Sequence, residues 1–392
     1  MPAPASIYFD YNATTPLDPS VRDAMLPFLD QFWGNPSSIH QIGRRARAQL
    51  DDFRDRAAVF LGAKPSEIIF TSGGTEANNL AILGSARRRK EQGRGTHLIC
   101  SSVEHHAVLH CFDYLEKYEG FSVTRLPVDG EGRVAVETVR RALRPDTALV
   151  SVMAANNEIG TLQPVGEIGA LCRERGVLFH TDAVQWLGKE PFSSVHQFNA
   201  DLVPVCAHKF HGPKGAGLLY IRSPLHPHPL LLGGAHENER RAGTENLAAV
   251  AGLLTAMEQF IKTPVFARSR LFPLGEQLAN RLADLPGCRR VSPASGGLAN
   301  TVSFVVENAD SIALLAALDV EGICASSGSA CSAGSLNPSH VVVALGLAAQ
   351  ANSLIRFSLG RDSSVAEVER VCAVLPEVLR RAQLGQKPVN RS

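Results

Sequence analysis

The sequence predicts an α/β protein, with a mostly parallel seven-stranded-type sheet covered by helices and a smaller α+β domain attached. Two observations carry the prediction. Between Glu67 and Ile221, short apolar runs alternate with segments of helical period, the pattern of strands that pair in parallel through crossover helices. Beyond Pro264 the texture changes to a mixture of longer helices and isolated strands. A third regularity concerns chemistry. The distinctive polar residues fall just past the apolar runs, at the carboxyl ends of strands, where open α/β sheets gather their ligands.

Taken in order, Ile7 to Asp10 reads as a brief strand, followed by the polar run YNATTPLDP. Asp18 and Pro19 announce a helix with Val21, Met25, Phe28 and Leu29 on one face. GNPSS at 34–38 is a turn feeding a second helix, whose apolar stripe (Ile42, Ala46, Leu50, Phe53, Ala57, Phe60) stops near Gly62. Strands are expected at 67–70, 97–101, 122–127, 148–153, 177–181, 202–207 and 217–221, with helices at 107–118, 136–142 and 165–175. A polar, glycine-rich run at 233–246 precedes a long helix at 247–261. The remainder reads as helix 271–285, strand 301–306, helix 311–318, strand 353–359 and helix 365–381. The expected division is a large domain at 15–262, and a small one made of 1–14 with 263–392.

Composition narrows the function classes. With 39 basic and 38 acidic residues among 392, the chain has no global field for nucleic acid or an anionic membrane. MPAPASIYF lacks the basic and apolar segments of a secretory signal, and no apolar run is long enough to span a bilayer. Eight cysteines at 100, 111, 172, 206, 288, 324, 331 and 372 form no CxxC pair. They fit a reduced cytoplasm and argue against a zinc or iron–sulfur site built within the chain.

Several residues stand where chemistry is done. Val205 to Gly217, VCAHKFHGPKGAG, reads as strand, exposed loop, strand, with Lys209 between His208 and His211. A lysine desolvated near other cations loses pKa and becomes nucleophilic, although an isolated lysine in a loop is ordinarily just a surface residue. Ser72-Gly73-Gly74-Thr75 joins a strand to a helix and suits a phosphate. Asp182 ends a buried strand, with Gln185 just beyond; it suits a protonated ring nitrogen or a helix cap. His105 ends another strand, as a ring-stacking or proton-shuttling imidazole or as a core histidine. Asn157 reads as a ligand amide or a turn residue. Arg356, inside an apolar strand, requires an anionic partner, either a protein carboxylate or that of a substrate. Cys331 lies in ASSGSACSAGSLNPS, a small-residue loop suited to an accessible nucleophile, whereas Cys324 is expected to be packed. Phosphate loop, stacking imidazole, ring-nitrogen carboxylate, amine and carboxylate-binding arginine together are what pyridoxal phosphate chemistry on an amino acid needs.

The motifs TSGGTEANN, EHHAV, NNEIGTLQP, HTDAVQ, AHKFHGPKG, RRAGTEN and SSGSACSAGS, in this order over nearly the whole chain, resemble those of the cysteine desulfurases. These are enzymes of the class V aminotransferase group with the fold type I of pyridoxal-phosphate proteins. The long loop around Cys331 is similar to the IscS/NifS branch, and in detail to its NifS side. The resemblance implies pyridoxal 5′-phosphate as cofactor, L-cysteine as substrate, L-alanine as product and a persulfide on Cys331. It implies a cytoplasmic homodimer that supplies sulfur to an iron–sulfur scaffold protein, of nitrogen-fixation type by the NifS likeness. Neither nucleic acid nor membrane enters. Neighbouring activities are a class V transaminase or a selenocysteine lyase; a non-catalytic sulfur carrier would need only the cysteine.

By the same resemblance, Lys209 attaches the cofactor and moves the α-proton, and His105 stacks on the ring and acts in acid–base steps. Asp182 takes the ring nitrogen and Gln185 the ring hydroxyl. Gly74, Thr75, Cys206 and His208 hold the phosphate, with Thr244 reaching that of the neighbouring subunit. Arg356, Asn157 and Asn35 grip the substrate carboxylate. No resident metal is implied, only a transient iron–sulfur contact at Cys331. Cys206 stands where many members carry serine, and a thiol is the poorer phosphate donor.

Overall fold

The computed structural model describes residues 6–328 and 338–384. Its strands, in chain order, are β1 (Ile7–Tyr8), β2 (Ile68–Thr71), β3 (His97–Ser101), β4 (Ser122–Leu126), β5 (Thr147–Ser151), β6 (Leu178–His180), β7 (Leu202–Cys206), β8 (Gly217–Ile221), β9 (Cys288–Arg290), β10 (Thr301–Val306), β11 (Ile323–Cys324) and β12 (Leu354–Ser358). Seven form one sheet in the order β2-β8-β7-β6-β5-β3-β4. All neighbours run parallel except β8, which is antiparallel to both β2 and β7.

Every residue of β2, β3, β5, β7 and β8 is buried. That is why these strands read as unbroken apolar runs: crossover helices cover both faces. Successive side chains still part to opposite sides. Phe70, Ile99, Val150 and Leu218 join the core under the helix Gln41–Leu61. Ile69, Leu98, Leu149 and Leu219 join another with Phe112 and Leu115 of His106–Glu119. Each such side chain is worth about 1.5–3 kcal/mol against exposure. The helix Gln41–Leu61 stops where expected, with Gly62 in the left-handed region at φ +71°.

The C-terminal part packs β10 antiparallel between β12 and β9. Helices Arg268–Ala283 and Val365–Leu384 cover it. Phe9 and Tyr11 from the start of the chain share this core, and β1 pairs in parallel with β11. Sequence periodicity missed β9 and β11, which are only three and two residues long. Among the described residues, no helix is long and apolar enough to cross a membrane.

One expectation is corrected. The loop after β7 is not fully exposed: Ala207, Phe210, His211, Gly212 and Pro213 are buried, His208 and Lys209 are half-buried, and Lys214 and Gly215 are exposed. The polar run after β1 covers it. The Thr15 amide donates to the His208 carbonyl at 3.0 Å, and the His211 amide donates to Thr15 Oγ1 at 2.7 Å.

Candidate active site

The sheet delivers its polar residues to one end. β2 runs into Ser72-Gly73-Gly74, and helical structure then continues from Gly74 to Glu91. Gly73 takes φ +149°, a region closed to side chains. A Cβ on Gly217, across from it, would lie 2.7 Å from the Gly73 Cα. Close backbone approach therefore shapes a cradle whose first helical amides are exposed to a ligand. Thr75 is exposed beside it, and Cys206, ending β7, is buried against Gly73 and Gly74. Burial pushes the Cys206 thiol up, against the pull of Lys209 and of the Gly74 and His208 amides.

Asp182 follows β6 and is 5% exposed. Its Oδ2 accepts from Asn78 Nδ2 at 2.8 Å and its Oδ1 from the Val184 amide at 3.0 Å. Sequence reasoning missed Asn78, a polar residue on the buried side of the cradle helix. Behind Asp182, Ser151 Oγ and His180 Nδ1 lie 2.8 Å apart. Burial lowers His180 to about 4, so the imidazole is neutral. Asn78 Oδ1 and His180 Nε2 are buried without a hydrogen-bond partner.

Lys209 Nζ donates to the carbonyls of Asn12 and Ala13 at 2.7 and 2.8 Å. Gln185 Nε2 donates to the same Asn12 carbonyl at 2.9 Å. The Asn12 side chain accepts from Lys189 Nζ at 2.6 Å and from Asn300 Nδ2 at 3.0 Å. It donates to Thr301 Oγ1 at 2.9 Å and to the Asn157 carbonyl at 3.3 Å. Asn12 is thus a hub that the sequence did not announce, beyond lying in a polar run after a strand. His208 Nδ1 lies 3.0 Å from Thr14 Oγ1, and burial with the nearby Lys209 and Lys214 charges lowers His208 to about 4.

His105 caps the helix His106–Glu119: its Nδ1 accepts from the Ala107 amide at 3.0 Å. In the neutral ring the proton then sits on Nε2. Burial holds the ring below the usual imidazole range; Asp182 opposes this and Lys209 adds to it. The preceding Glu104 is fully buried, and burial raises it to about 7, although Ser101 Oγ and the Met153 amide donate to it at 2.5 and 2.7 Å.

Arg356, in the middle of β12, is 1% exposed. Nη2 meets Asp10 Oδ1 at 2.6 Å, and Nη1 donates to the carbonyls of Asn157 at 2.8 Å and Gly328 at 2.5 Å. The expected anionic partner in the chain is thus Asp10. A cavity of 1390 Å³ opens from Thr75 and His105 past His106, His110 and His340. Cys324 lines it and is partly exposed, not fully packed as expected. Cys331 lies outside the described residues. Asn35 is exposed in a turn, its Oδ1 accepting from the Ser37 amide at 2.9 Å. Thr244 is exposed in the segment before Leu247–Phe260. Neighbouring Arg241 pairs with Glu76 of the cradle helix at 2.9 Å. Among the described residues no cluster of three or more His, Cys, Asp or Glu side chains could hold a metal ion.

These residues fit pyridoxal 5′-phosphate. The glycine cradle suits its phosphate, the buried Asp182 its ring nitrogen, and Lys209 its aldehyde.

Comparison with known proteins gives the same answer. The family described as aminotransferase class-V matches residues 7–371. The chain is 44% identical over 377 residues to a cysteine desulfurase IscS of Methanosarcina thermophila, covering 96% of this chain and 92% of that one. A solved NifS-like protein superposes with a TM-score of 0.88 at 36% identity, covering 96% of this chain and 99% of the other. A structure of SspA in complex with cysteine superposes with a TM-score of 0.80 at 36% identity, covering 92% and 100%. Fold, pocket and kinship agree, and the chain belongs to the class-V aminotransferase family, among its pyridoxal-phosphate-dependent cysteine desulfurases.

Proposed function

We propose that this chain converts L-cysteine to L-alanine and keeps the sulfur as a persulfide on Cys331, for transfer to an iron–sulfur scaffold. The observation that carries the reading is one hydrogen-bonded network centred on Asn12. It joins Lys209, Gln185 and, through the Asn157 carbonyl, Arg356. An amine, a ring-binding amide and a carboxylate-binding cation thereby come from three distant segments to one place.

Pyridoxal 5′-phosphate, when bound, supplies an electron-withdrawing ring that stabilises charge at the substrate α-carbon. Lys209 attaches it and then moves the α-proton. Asp182, kept in place by Asn78 and the Val184 amide, holds the ring nitrogen, and Gln185 the ring hydroxyl. Gly74, Thr75, Cys206 and His208 hold the phosphate. His105 presents its Nε2 proton to the site, and Arg356, Asn157 and Asn35 take the substrate carboxylate. The Cys331 thiolate attacks the substrate sulfur, so that an S–S bond forms and the Cβ–S bond breaks. The released electron pair stays on carbon, which takes a proton and becomes the methyl group of alanine.

In a homodimer Thr244 serves the neighbouring subunit's phosphate; its exposure supports this. Work in the cytoplasm is supported by the cysteines, all free among the described residues. The shared core of Phe9, Tyr11 and the C-terminal helices supports a small domain of 1–14 with 263–392 beside a large one of 15–262. A nitrogenase-type acceptor is the narrower reading and rests on the NifS-like motifs alone.

The test is alanine release from L-cysteine by the purified holoenzyme, with C331A alongside. Alanine from the wild type only is expected. Steady release by C331A would remove the persulfide step, and a keto acid in place of alanine would make the enzyme a transaminase.

A further inference from the structure

Lys189 is 3% exposed, and its amine bonds to amide oxygens instead of a carboxylate. It follows Gly188 at the end of the segment that begins with Asp182. Its Nζ donates to Asn12 Oδ1 at 2.6 Å and to Gln185 Oε1. Its Nζ lies over the Phe266 ring, 5.4 Å from the ring centre. Burying an amine so completely is expensive unless its hydrogens are well used. Here they go to two amide oxygens of the site.

The consequence falls on Gln185. An amide can be turned over at little intrinsic cost, and its two ends do opposite things. Lys189 offers hydrogens, so the oxygen must face it. The Asn12 carbonyl accepts at 2.9 Å, so the nitrogen must face that side. The two neighbours demand the same orientation. The Gln185 N–H edge is therefore turned toward Asn12 and Lys209, which shares the Asn12 carbonyl.

We propose that Lys189 is a positioning residue, which fixes the Gln185 amide with its N–H edge presented to the cofactor's ring oxygen. The inference rests on the role given to Gln185 above. Burial, with the nearby Lys209 and Arg356 charges, pushes the Lys189 ammonium well below the ordinary lysine range. Even as a neutral amine it keeps a hydrogen for each of the two oxygens, so the pin survives loss of its charge. Without Lys189 only the Asn12 carbonyl would favour that orientation, and the Gln185 oxygen would lose its own partner. A turned-over amide would set oxygen against oxygen at the ring.

The test is titration of pyridoxal 5′-phosphate into apoprotein, giving Kd for wild type, K189M, Q185A and K189M/Q185A. K189M should weaken binding about tenfold, as expected for one lost buried hydrogen bond to a site group. The double variant should bind no more than about twofold weaker than Q185A, because Lys189 acts through that amide. Effects that multiply, or a K189M that binds as wild type, would overturn the inference while leaving Gln185 in place. A Q185A that binds as wild type would remove the Gln185 role itself, and the inference with it. Should K189M not fold, K189R decides. It keeps donors for both oxygens, so wild-type Kd supports the pin and weakened binding overturns it. Failure of both variants to fold would make Lys189 a residue of the core and would also overturn it.

Discussion

Arg356 donates from Nη1 to the carbonyl of Gly328 at 2.5 Å, and Gly328 is the last described residue before the segment that carries Cys331. On the far side of that segment, Ser339 Oγ donates at 2.6 Å to Glu158, a fully buried carboxyl that burial raises above its ordinary range. Both stems of the cysteine segment are therefore fastened to the floor of the site. Arg356, proposed above to take the substrate carboxylate, holds one of them.

For this reason Arg356 is expected to be intolerant of even the charge-conserving change. R356K keeps a cation but loses the planar fork that serves Asp10 and two carbonyls together. The expected outcome is a fall of about 10- to 100-fold in kcat/KM for L-cysteine, carried mainly by KM. Alanine release measured across cysteine concentrations checks it, and an unchanged kcat/KM would deny Arg356 its contact with the substrate.

Asn78 acts on Asp182 from inside the cradle helix, at 2.8 Å and fully buried. A buried hydrogen bond to a charged group is worth about 1.5–3 kcal/mol, so N78A should weaken pyridoxal phosphate binding by about tenfold or more. N78D, which sets a second carboxylate against the first, should do worse than N78A. Titration of the apoproteins, followed by absorbance, decides the order.

The cradle makes a steric prediction. In G217A the new methyl would fall 2.7 Å from both the Gly73 Cα and the Val205 carbonyl oxygen, backbone atoms that cannot swing away. Destabilisation of about 1–3 kcal/mol is expected, with weaker cofactor binding. G130A is the control, because a Cβ there meets nothing within 4 Å. Equal melting temperatures for the two would show that the cradle yields.

Stability should fall in mild acid. Burial lowers His180, His208 and His211 to about 4, so the folded chain resists protons that the unfolded chain takes up below about 6.5. The stability these neutral rings confer is complete above about pH 6.5 and is lost as pH falls toward 4. Glu104, raised to about 7, works the other way and is most comfortable when protonated. His105 is lowered with the other histidines and Glu158 is raised with Glu104; the lowered histidines remain the more numerous, so the melting temperature of the apoprotein should drop between pH 6.5 and 4. H211Q should flatten that slope. A melting temperature that is level or rising toward pH 4 would mean that Glu104 dominates.

The parts of the site legible in the sequence are those that sit where a local pattern ends. Gly74, His105, Asp182 and Lys209 each follow a short apolar run, and the structure sets each just past a strand of the large sheet. Asn12, Asn78 and Lys189 were not legible. Asn78 lies within a helical period as one polar residue among others. Asn12 and Lys189 acquire meaning only from each other across 177 positions of chain. The buried state of the Lys209 loop escaped notice for the same reason, since its cover, Thr14 and Thr15, comes from nearly two hundred residues earlier.

By itself the sequence determined the alternation of strands and helices, because the periods of apolar residues are set by backbone geometry within a few residues. It also determined which residue types stand at the strand ends, and with them the class of chemistry. Only the tertiary structure decided how those groups are held. It made Asn12 the common acceptor for Lys209 and Gln185, and gave Arg356 to Asp10 and Gly328. Such contacts join segments far apart in the chain. Whether a buried polar group is satisfied depends on what the fold brings beside it, which no local run of residues encodes.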